Sequence, residues 1–304
     1  MGKPQVPLSF RCQSTLNQWG LFLRQALRWT PGAYVEPRES KTGLFTDEAT
    51  LSLENQLINT YSLTDLQQQS SNARYIETLT YLHFIEQLMD GTEPLTIHEG
   101  KAVTWLDVGA KNWAYVAAID GWLKRNTKIY QLTGIELDGY RRYTDLHTRA
   151  DYAQTYISTI SQATYEVGDI MNHQGQYHII SCFLPFVFEE PCLAWGLPLS
   201  YFRPKVFLAK LLQLLAPGGI LLVMNQGESE RDKQEELFKR LDGDPKLGVT
   251  LNTTAVKLLD SPFIQYQYPR YGWFCRPERI ISPHVSNTSS YKPESTDHHI
   301  GLHQ

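Results

Sequence analysis

Residues 104–116 read TWLDVGAKNWAYV, and this stretch gives the strongest local indication of the fold. A short apolar strand is predicted over residues 102–108, with a turn at Gly109 and a helix over residues 114–123. A turn of this kind points backbone N–H groups and a helix N-terminus toward a ligand, which favours anions such as a carboxylate. The stretch therefore predicts both a strand–turn–helix unit and a binding position.

The same alternation continues toward the C-terminus. Strands are predicted over residues 129–137, 165–167, 177–183 and 220–224, with two further candidates near 254–259 and 271–275. Helices are predicted over residues 146–160, 200–215 and 228–241, and Pro217-Gly218-Gly219 turns the chain into the strand at 220. Alternating strands and helices are typical of an α/β fold with a mostly parallel sheet and helices on both faces.

The first hundred residues are predicted to be helical, because apolar residues recur there at steps of three and four. One helix is expected behind the possible cap Ser14, a second over residues 47–58, and a third from Ser71 or Asn72 to a stop at Asp90-Gly91. The apolar positions of the first helix are Leu16, Trp19, Leu23, Ala26 and Leu27.

Three segments follow from these patterns. Residues 1–99 are predicted to form a helical N-terminal cap, and residues 100–282 the α/β domain. Residues 283–304 are polar and rich in Ser, Thr and His, a composition that predicts a disordered tail.

Acidic residues follow the second and third predicted strands. Glu136 lies in LTGIELDGY, residues 132–140, and Asp169 lies in EVGDIM, residues 166–171. An acid at the end of the second strand can accept hydrogen bonds from ribose hydroxyls, as it does in other nucleotide-binding α/β folds. Gly168-Asp169 is also common turn chemistry, so its meaning depends on the neighbouring motifs.

Taken in order, these motifs resemble those of class I S-adenosylmethionine-dependent methyltransferases over about residues 100–280. The family's first motif is an acid followed by three glycines at alternate positions. Asp107 and Gly109 match its beginning, whereas Lys111 and Trp113 stand where the second and third glycines are usual. Asn112 could supply a left-handed residue, because Asn tolerates that conformation better than most. The resemblance implies a Rossmann-like methyltransferase fold with a mostly parallel, seven-stranded sheet.

The resemblance also implies S-adenosylmethionine as the cofactor and gives residues their roles. It places Glu136 on the ribose and Asp169 on the adenine amino group, with Ile170 or Met171 beside the base. Lys111 either faces the carboxylate of the donor or is a solvated lysine. The cofactor-binding set expected from the resemblance is Asp107, Gly109, Lys111, Asn112, Glu136, Leu137, Asp169 and Ile170.

A dehydrogenase is the main competitor for this fold, because it uses a similar first turn. Its fingerprint is G-x-G-x-x-G. Here Gly109 is followed by Lys111 and Ala114, and Asp107 precedes the glycine. Both features favour the methyltransferase interpretation.

The acceptor side is less distinct. The loop after the fourth strand, residues 183–202, reads FLPFVFEEPCLAWGLPLSYF; its aromatic residues suit either an apolar substrate pocket or packing against the helical cap. It lacks the N/D-P-P-Y/F motif of the family's amino-directed nucleic-acid enzymes. The catalytic residue stays unknown, because the candidate bases have no specific spacing; by position they are Glu189, Glu190, Tyr143 and His147.

Composition limits the class of partner. A net charge of -4 and a pI of about 6.1 argue against a nucleic-acid partner, which usually meets a basic face. Four cysteines without metal-binding spacing predict no metal site and a reducing, cytoplasmic location. No apolar run is long enough to span a bilayer, so no membrane partner is expected. A small-molecule methyltransferase is the leading hypothesis, followed by a non-catalytic binding relative and then a nucleic-acid methyltransferase.

Overall fold

The computed structural model describes residues 7–91, 101–253 and 256–279, and one sheet runs through its centre. The order across the sheet is β3-β2-β1-β4-β5-β8-β6, with β7 paired to β8. In chain order the strands are β1 Val103–Val108, β2 Tyr130–Glu136, β3 Ala163–Val167, β4 Tyr177–Phe183, β5 Leu215–Gln226, β6 Val249–Thr253, β7 Lys257–Leu259 and β8 Arg270–Arg279.

The first five strands pair in parallel, and β8 runs antiparallel to β5, β6 and β7. This arrangement confirms the predicted Rossmann-like, mostly parallel α/β fold. The described residues hold eight strands rather than the expected seven. The additional pairing involves β7, a three-residue strand too short to give a periodic signal of its own.

The Pro217-Gly218-Gly219 turn forms inside β5 rather than before it. Tyr177 pairs with Leu215 and Ile179 pairs with Ile220, so the residues between Leu215 and Ile220 are looped out of the ladder. A Cβ atom on Gly219 would approach the carbonyl oxygens of Ala216 and Tyr177 to 2.9 Å, which explains the glycine there. The turn prediction was right in its chemistry, and the strand simply begins before it.

Nine helices lie in the described ranges. They are α1 Leu8–Leu27, α2 Glu48–Tyr61, α3 Thr64–Gln69, α4 Asn72–Met89, α5 Val116–Asn126, α6 Arg149–Ile157, α7 Glu189–Ala194, α8 Pro204–Gln213 and α9 Gly227–Leu241. None of these helices combines the length and apolar character needed to cross a membrane.

Local capping explains where several helices begin. Asp47 accepts a hydrogen bond from the Thr50 amide at the start of α2, and Ser71 accepts one from the Arg74 amide at the start of α4. Both helices begin where the sequence predicted, near residue 47 and near residues 71–72. The expected cap Ser14 is wrong, because α1 begins at Leu8, and the Ser14 hydroxyl accepts from a distant backbone amide instead.

Apolar side chains form a separate cluster on each face of the sheet. One cluster joins α2, α4, α5 and α6 to the sheet and contains Trp105 and Leu79. The other joins α8 and α9 and contains Leu211 and Leu237. The predicted segment boundary at residues 99–100 and the predicted tail over 283–304 lie outside the described residues.

Candidate functional site

The loops that follow the parallel strands meet at one edge of the sheet, because parallel strands all end on the same side. The strand order reverses between β1 and β4, and ligands of open α/β sheets bind outside the carboxyl ends at such a reversal. Backbone hydrogen bonds link the strand ends: the Gly109 amide donates to the Ile135 carbonyl at 2.9 Å, and the Gly168 amide donates to the Glu136 carbonyl at 3.0 Å. We call this region the carboxyl-edge cleft.

Asp107 is fully buried beneath the cleft. Its carboxylate accepts hydrogen bonds from the Trp113 indole at 2.8 Å, the Tyr115 hydroxyl at 2.7 Å and the Ser181 hydroxyl at 2.5 Å. Burial raises the pKa of Asp107 to about 6, although these three donors act in the opposite direction. The structure thus gives this residue internal partners that hold the turn after β1 against β4.

The turn after β1 keeps left-handed backbone conformations without its full set of glycines. Gly109 has a φ of 78°, and Lys111 and Trp113 each have a φ of 55°. The expectation that Asn112 would supply the left-handed residue is wrong, because its two neighbours do so. Positive φ is costly for a residue with a side chain, so surrounding contacts must hold this turn in place.

Trp113 is held by the core. Its ring is fully buried, its centroid lies 6.0 Å from that of Tyr165, and a Cβ atom on Gly134 would come within 2.8 Å of the ring. The Tyr165 hydroxyl donates to the carbonyl of Lys111, which fixes the turn from the other side. Gly134 in the middle of β2 was the sequence signal for this close approach, since glycine inside a strand often marks one.

Glu136 is the last residue of β2, and its carboxylate faces the turn after β1. Oε2 accepts from the Lys111 amide at 2.9 Å. Oε1 accepts from the Asp138 amide and from the Arg149 guanidinium, both at 2.9 Å. Glu136, the residue predicted to bind the ribose, therefore lies beside the predicted turn. It also forms an ion pair with Arg149, which its position after β2 did not predict.

Helix α1 lies across the end of β2. The Arg24 guanidinium donates to both carboxylate oxygens of the buried Asp138, at 2.7 and 2.8 Å. The Gln25 amide donates to the carbonyl of Leu137, another predicted site residue, at 3.3 Å. The predicted helical cap thus reaches the candidate site directly, through one ion pair and one backbone contact.

The residues after β3 divide between the cleft and the core. Asp169 accepts from the Met171 amide at 2.9 Å through one carboxylate oxygen, and it begins a short 3₁₀ turn. Ile170 is buried in the cluster under α8, whereas Met171 is exposed. Of the two apolar residues proposed to flank a base, Met171 is therefore the accessible one.

The segment after β4 closes the cleft on its far side. The ring of Trp195 lies 5.9 Å from the Lys111 ammonium and 5.5 Å from the Arg149 guanidinium, and Arg141 donates to the Trp195 carbonyl. The candidate bases of this segment, Glu189 and Glu190, occupy the first turn of α7. They are thus separated by part of a helix from the ring that lies over the turn.

The other two candidate bases lie after β2. His147 pairs with Asp145 at 3.2 Å at the surface, which gives it a local partner. The Tyr143 hydroxyl is buried and lacks a hydrogen-bond partner of ordinary geometry within the described ranges, and burial raises its pKa to about 12. A tyrosine with so high a pKa holds its proton at neutral pH, so Tyr143 does not fit the role of a base.

Glu77 on α4 is a candidate residue of the cleft that the sequence patterns did not indicate. Thr78, its neighbour, donates to the Ala114 carbonyl at 3.2 Å, which fixes this turn of α4 against the turn after β1. Burial raises the pKa of Glu77, with the positive charge of Lys111 lowering it to a smaller extent. Asn112, beside Lys111 in the turn after β1, has a buried side-chain oxygen without a hydrogen-bond partner among the described residues.

Three tyrosines lie within electrostatic reach of the Glu77 carboxylate. The negative charge of Glu77 contributes to raising the pKa of Tyr81, Tyr143 and Tyr266, so it lies within electrostatic reach of all three. The Tyr81 ring stacks on Tyr115 with centroids 4.1 Å apart. Tyr266 also lines a cavity of about 340 Å³ in the loop before β8. This wall of the cleft combines one acid with several flat apolar surfaces, as ligand pockets often do. Among the described residues no group of three potential metal ligands occurs.

Comparison with known proteins finds likeness in structure alone. No protein-family model and no curated protein matches the chain. The plantazolicin methyltransferase BpumL in complex with SAH is 13% identical over 86% of this chain and 98% of its own, with a TM-score of 0.40. Magnesium protoporphyrin IX methyltransferase (ChlM) from Synechocystis PCC 6803 with bound SAM is 10% identical over 90% of this chain and 100% of its own, with a TM-score of 0.39.

Other solved structures are much longer than the part that matches. Trm5b from Pyrococcus abyssi is 11% identical over 66% of this chain, with a TM-score of 0.40, and the chain spans 48% of its length. The chain spans 64% of a putative transferase, PH0793, from Pyrococcus horikoshii. Because all these likenesses are distant, the function has to be argued from the residues of the chain itself.

Proposed function

We propose that the chain binds S-adenosylmethionine in the carboxyl-edge cleft and transfers its methyl group to a small-molecule acceptor. One observation carries the proposal: the turn after β1 and the acids after β2 and β3 meet at one edge, at the strand-order reversal. Glu136 bonds the Lys111 amide of the turn, and Asp169 follows the neighbouring strand. That combination suits a ligand with a nucleoside at one end and an amino-acid carboxylate at the other.

The residues fit such a cofactor. A Cβ atom built on Gly109 would meet nothing within 4 Å, so the turn has open space beside it. The Asn112 side-chain oxygen is buried without a partner in the described part of the chain, and Glu136 Oε2 accepts only one hydrogen bond. Trp113 leaves the space free because its ring is buried in the core.

Each residue would then have a distinct part. Glu136 would accept from ribose hydroxyls through Oε2, Asp169 would accept from the adenine amino group through its free oxygen, and Lys111 would face the carboxylate. Leu137 and Met171 would supply apolar walls. The cofactor brings a methyl group on a positively charged sulfur, so the chain has to align the acceptor and needs no nucleophile of its own.

Glu77 supports the acceptor side of the proposal. An acceptor that loses a proton during methyl transfer needs a base within hydrogen-bond reach. Burial raises the pKa of the Glu77 carboxyl above its ordinary value, which makes its carboxylate a stronger proton acceptor than an exposed one. The tyrosines within its electrostatic reach would hold a flat or cationic acceptor. A carboxylate at the centre of this wall also disfavours a phosphate-rich acceptor such as a nucleic acid.

Calorimetric titration with S-adenosylmethionine and S-adenosylhomocysteine tests the donor site. Binding in the micromolar range, near -8 kcal/mol, is expected. Glu136→Ala should weaken it at least about tenfold, because the ribose contact is lost. Glu235→Ala serves as the matched control, because Glu235 pairs with Lys239 on α9 far from the cleft. Wild-type affinity in Glu136→Ala would remove this residue from the donor site.

A non-catalytic binding relative is the second candidate, and the Arg149–Glu136 ion pair favours it. If this ion pair and the two amides that bind Glu136 hold its carboxylate permanently, the ribose has no acceptor there. Absence of binding by both nucleosides would favour this candidate. Binding to wild-type protein with no methyl transfer to any acceptor would favour it as well.

Glu77→Gln tests the acceptor side separately. With radiolabelled S-adenosylmethionine and a panel of aromatic amines and phenols, the variant should lose about 100-fold or more in turnover while it keeps donor affinity. Glu86→Gln on the same helix is the control, because Glu86 accepts from the Tyr61 hydroxyl at 2.8 Å and has no place in the cleft. Equal turnover in Glu77→Gln and wild type would exclude Glu77 as the base.

A further inference from the structure

Helix α1 is attached to the rest of the chain by its polar side. The Gln13 and Asn17 amides donate to the Leu193 carbonyl at 3.2 and 2.9 Å, and Ser14 accepts from the Leu199 amide at 2.9 Å. The ion pair to the end of β2 continues the same row of contacts. Because a helix on a protein surface normally turns its apolar side inward, this attachment is the reverse of the usual one.

The opposite side of α1 is apolar and exposed. The side chains of Leu16, Trp19 and Leu27 are 73%, 63% and 74% exposed, whereas Leu21 on the inner side is 1% exposed. At 3.6 residues per turn, the exposed apolar positions cover an arc of roughly 140°. They are Leu8, Leu16, Trp19, Phe22, Leu23 and Leu27, and we call them the outer face of α1. Contiguous exposed patches of this kind mark interaction sites.

We propose that the outer face of α1 docks on the surface of an anionic lipid bilayer. The stretch over residues 8–30 contains no acidic residue, and its exposed Arg11 and Arg28 lie at the two ends of the helix. Leucine, phenylalanine and tryptophan on one side with arginine beside them are typical of helices that lie in the membrane interface.

A second copy of the chain fits this face less well. An antiparallel pair of α1 helices crossing at Trp19 would bring Arg11 of each copy close to Arg28 of the other, with no carboxylate on either helix between them. Like charges at that spacing are unfavourable. Paired helices meet along a narrow stripe formed by the a and d positions of a heptad repeat, and the arc of roughly 140° is wider than that stripe. A flat bilayer surface can contact the whole arc.

Docking would bring the carboxyl-edge cleft close to the bilayer. Arg24 and Gln25 of α1 contact Asp138 and Leu137 at the end of β2, so the helix that meets the lipid also forms one wall of the cleft. An acceptor dissolved in the bilayer interface would then be close to this wall. The docking itself needs neither a membrane span nor methyl transfer, and its test does not depend on the proposed function.

Co-sedimentation of the full chain with vesicles tests the proposal. The probes are vesicles of phosphatidylcholine alone and of phosphatidylcholine with one quarter phosphatidylglycerol, at 0.1 M salt. Wild-type protein should partition into the anionic vesicles, and Leu16→Ser/Trp19→Ser should lower the partition coefficient at least about tenfold. Val206→Ser/Leu258→Ser is the matched control, because it removes two exposed apolar side chains elsewhere and should bind as wild type does.

Three results would overturn the proposal. The first is no partition into either kind of vesicle. The second is equal partition of wild type and the α1 variant. The third is a concentration-dependent dimer, seen by light scattering, that the α1 variant abolishes. Because the substituted residues are exposed, thermal unfolding of both variants should match that of wild type, which shows that a loss of binding is not a loss of folding.

Discussion

Helices α1 and α4 have similar sequence patterns and opposite environments. Both show apolar residues at steps of three and four, and both were predicted as helices for that reason. Helix α4 lies between α2, α5 and the sheet, and Tyr75, Leu79 and Leu82 are fully buried. Helix α1 buries Leu21 and exposes most of its other apolar side chains. Periodicity therefore predicts that a helix has an apolar side, but not which side of it meets the protein.

The difference lies in what each helix finds opposite its polar side. The segment after β4 presents backbone carbonyls and an amide to α1, and the buried Asp138 adds a charge that Arg24 neutralises. These polar groups would be left without partners if α1 turned its apolar side inward. Leaving a buried polar group unpaired costs about 1–3 kcal/mol, so several such groups together can decide the orientation of a helix.

The largest expected contrast comes from removing one leucine from each helix. Leu82→Ala in α4 should lower the free energy of unfolding by about 2–5 kcal/mol, because it leaves a cavity in the core. Leu16→Ala in α1 should change it by less than about 0.5 kcal/mol, because the side chain is exposed. Urea unfolding of both variants measures the contrast. A large loss in Leu16→Ala would mean that α1 packs its outer face against the chain in solution.

Two buried aspartates extend the comparison, since Asp138 lies under α1 and Asp107 lies near α4. Burial raises the pKa of Asp107 to about 6, above the value of about 3.9 expected in an unfolded chain. Between these pH values the folded state holds more protons than the unfolded state, so this carboxyl contributes stability at low pH that is lost as the pH rises. A pKa difference of about two units corresponds to roughly 2–3 kcal/mol.

Asp107→Asn removes this pH dependence. The unfolding free energy of wild type minus that of the variant should therefore decrease by roughly 2–3 kcal/mol as the pH rises from 4 to 7. Chemical denaturation across that range measures it, with Asp65→Asn as a control because that carboxylate is exposed. A constant difference across the range would show that the three hydrogen bonds to Asp107 offset the effect of its burial.

The sequence predicts the position of a residue in the cleft where a few neighbouring residues determine that position. Glu136 and Asp169 could be placed at strand ends from the strand pattern, and the start of α4 near Ser71 or Asn72 could be placed from the apolar residues that follow it. Glu77 could not be found this way, since its place beside the cleft depends on α4 packing against a turn some thirty residues later in the chain. The conformations of Lys111 and Trp113 likewise depend on tertiary contacts, because only those contacts hold such residues at positive φ.

Replacing Arg24 tests the attachment of α1. Arg24→Ala should loosen the helix by about 1–3 kcal/mol, because Asp138 loses a two-point ion pair and, among the described residues, keeps an ion pair with Arg141 at 3.9 Å. Hydrogen exchange of amides in α1 should become about tenfold to hundredfold faster, while exchange in α4 stays the same. Arg11→Ala is the control, because Arg11 is exposed. An equal increase in both helices would show that they unfold as one unit.

The smallest expected contrast is between two serines: Ser71, which caps α4, and Ser14, which attaches α1 to the segment after β4. Ser71→Ala should lower the free energy of global unfolding by about 1 kcal/mol, because the Arg74 amide at the start of α4 loses its acceptor. Ser14→Ala removes the acceptor of the Leu199 amide, and α1 opens without unfolding the core. Its effect should therefore appear in the hydrogen exchange of α1 and leave the urea midpoint within error. If Ser14→Ala lowered the midpoint as much as Ser71→Ala, α1 would belong to the cooperative core despite its exposed outer face.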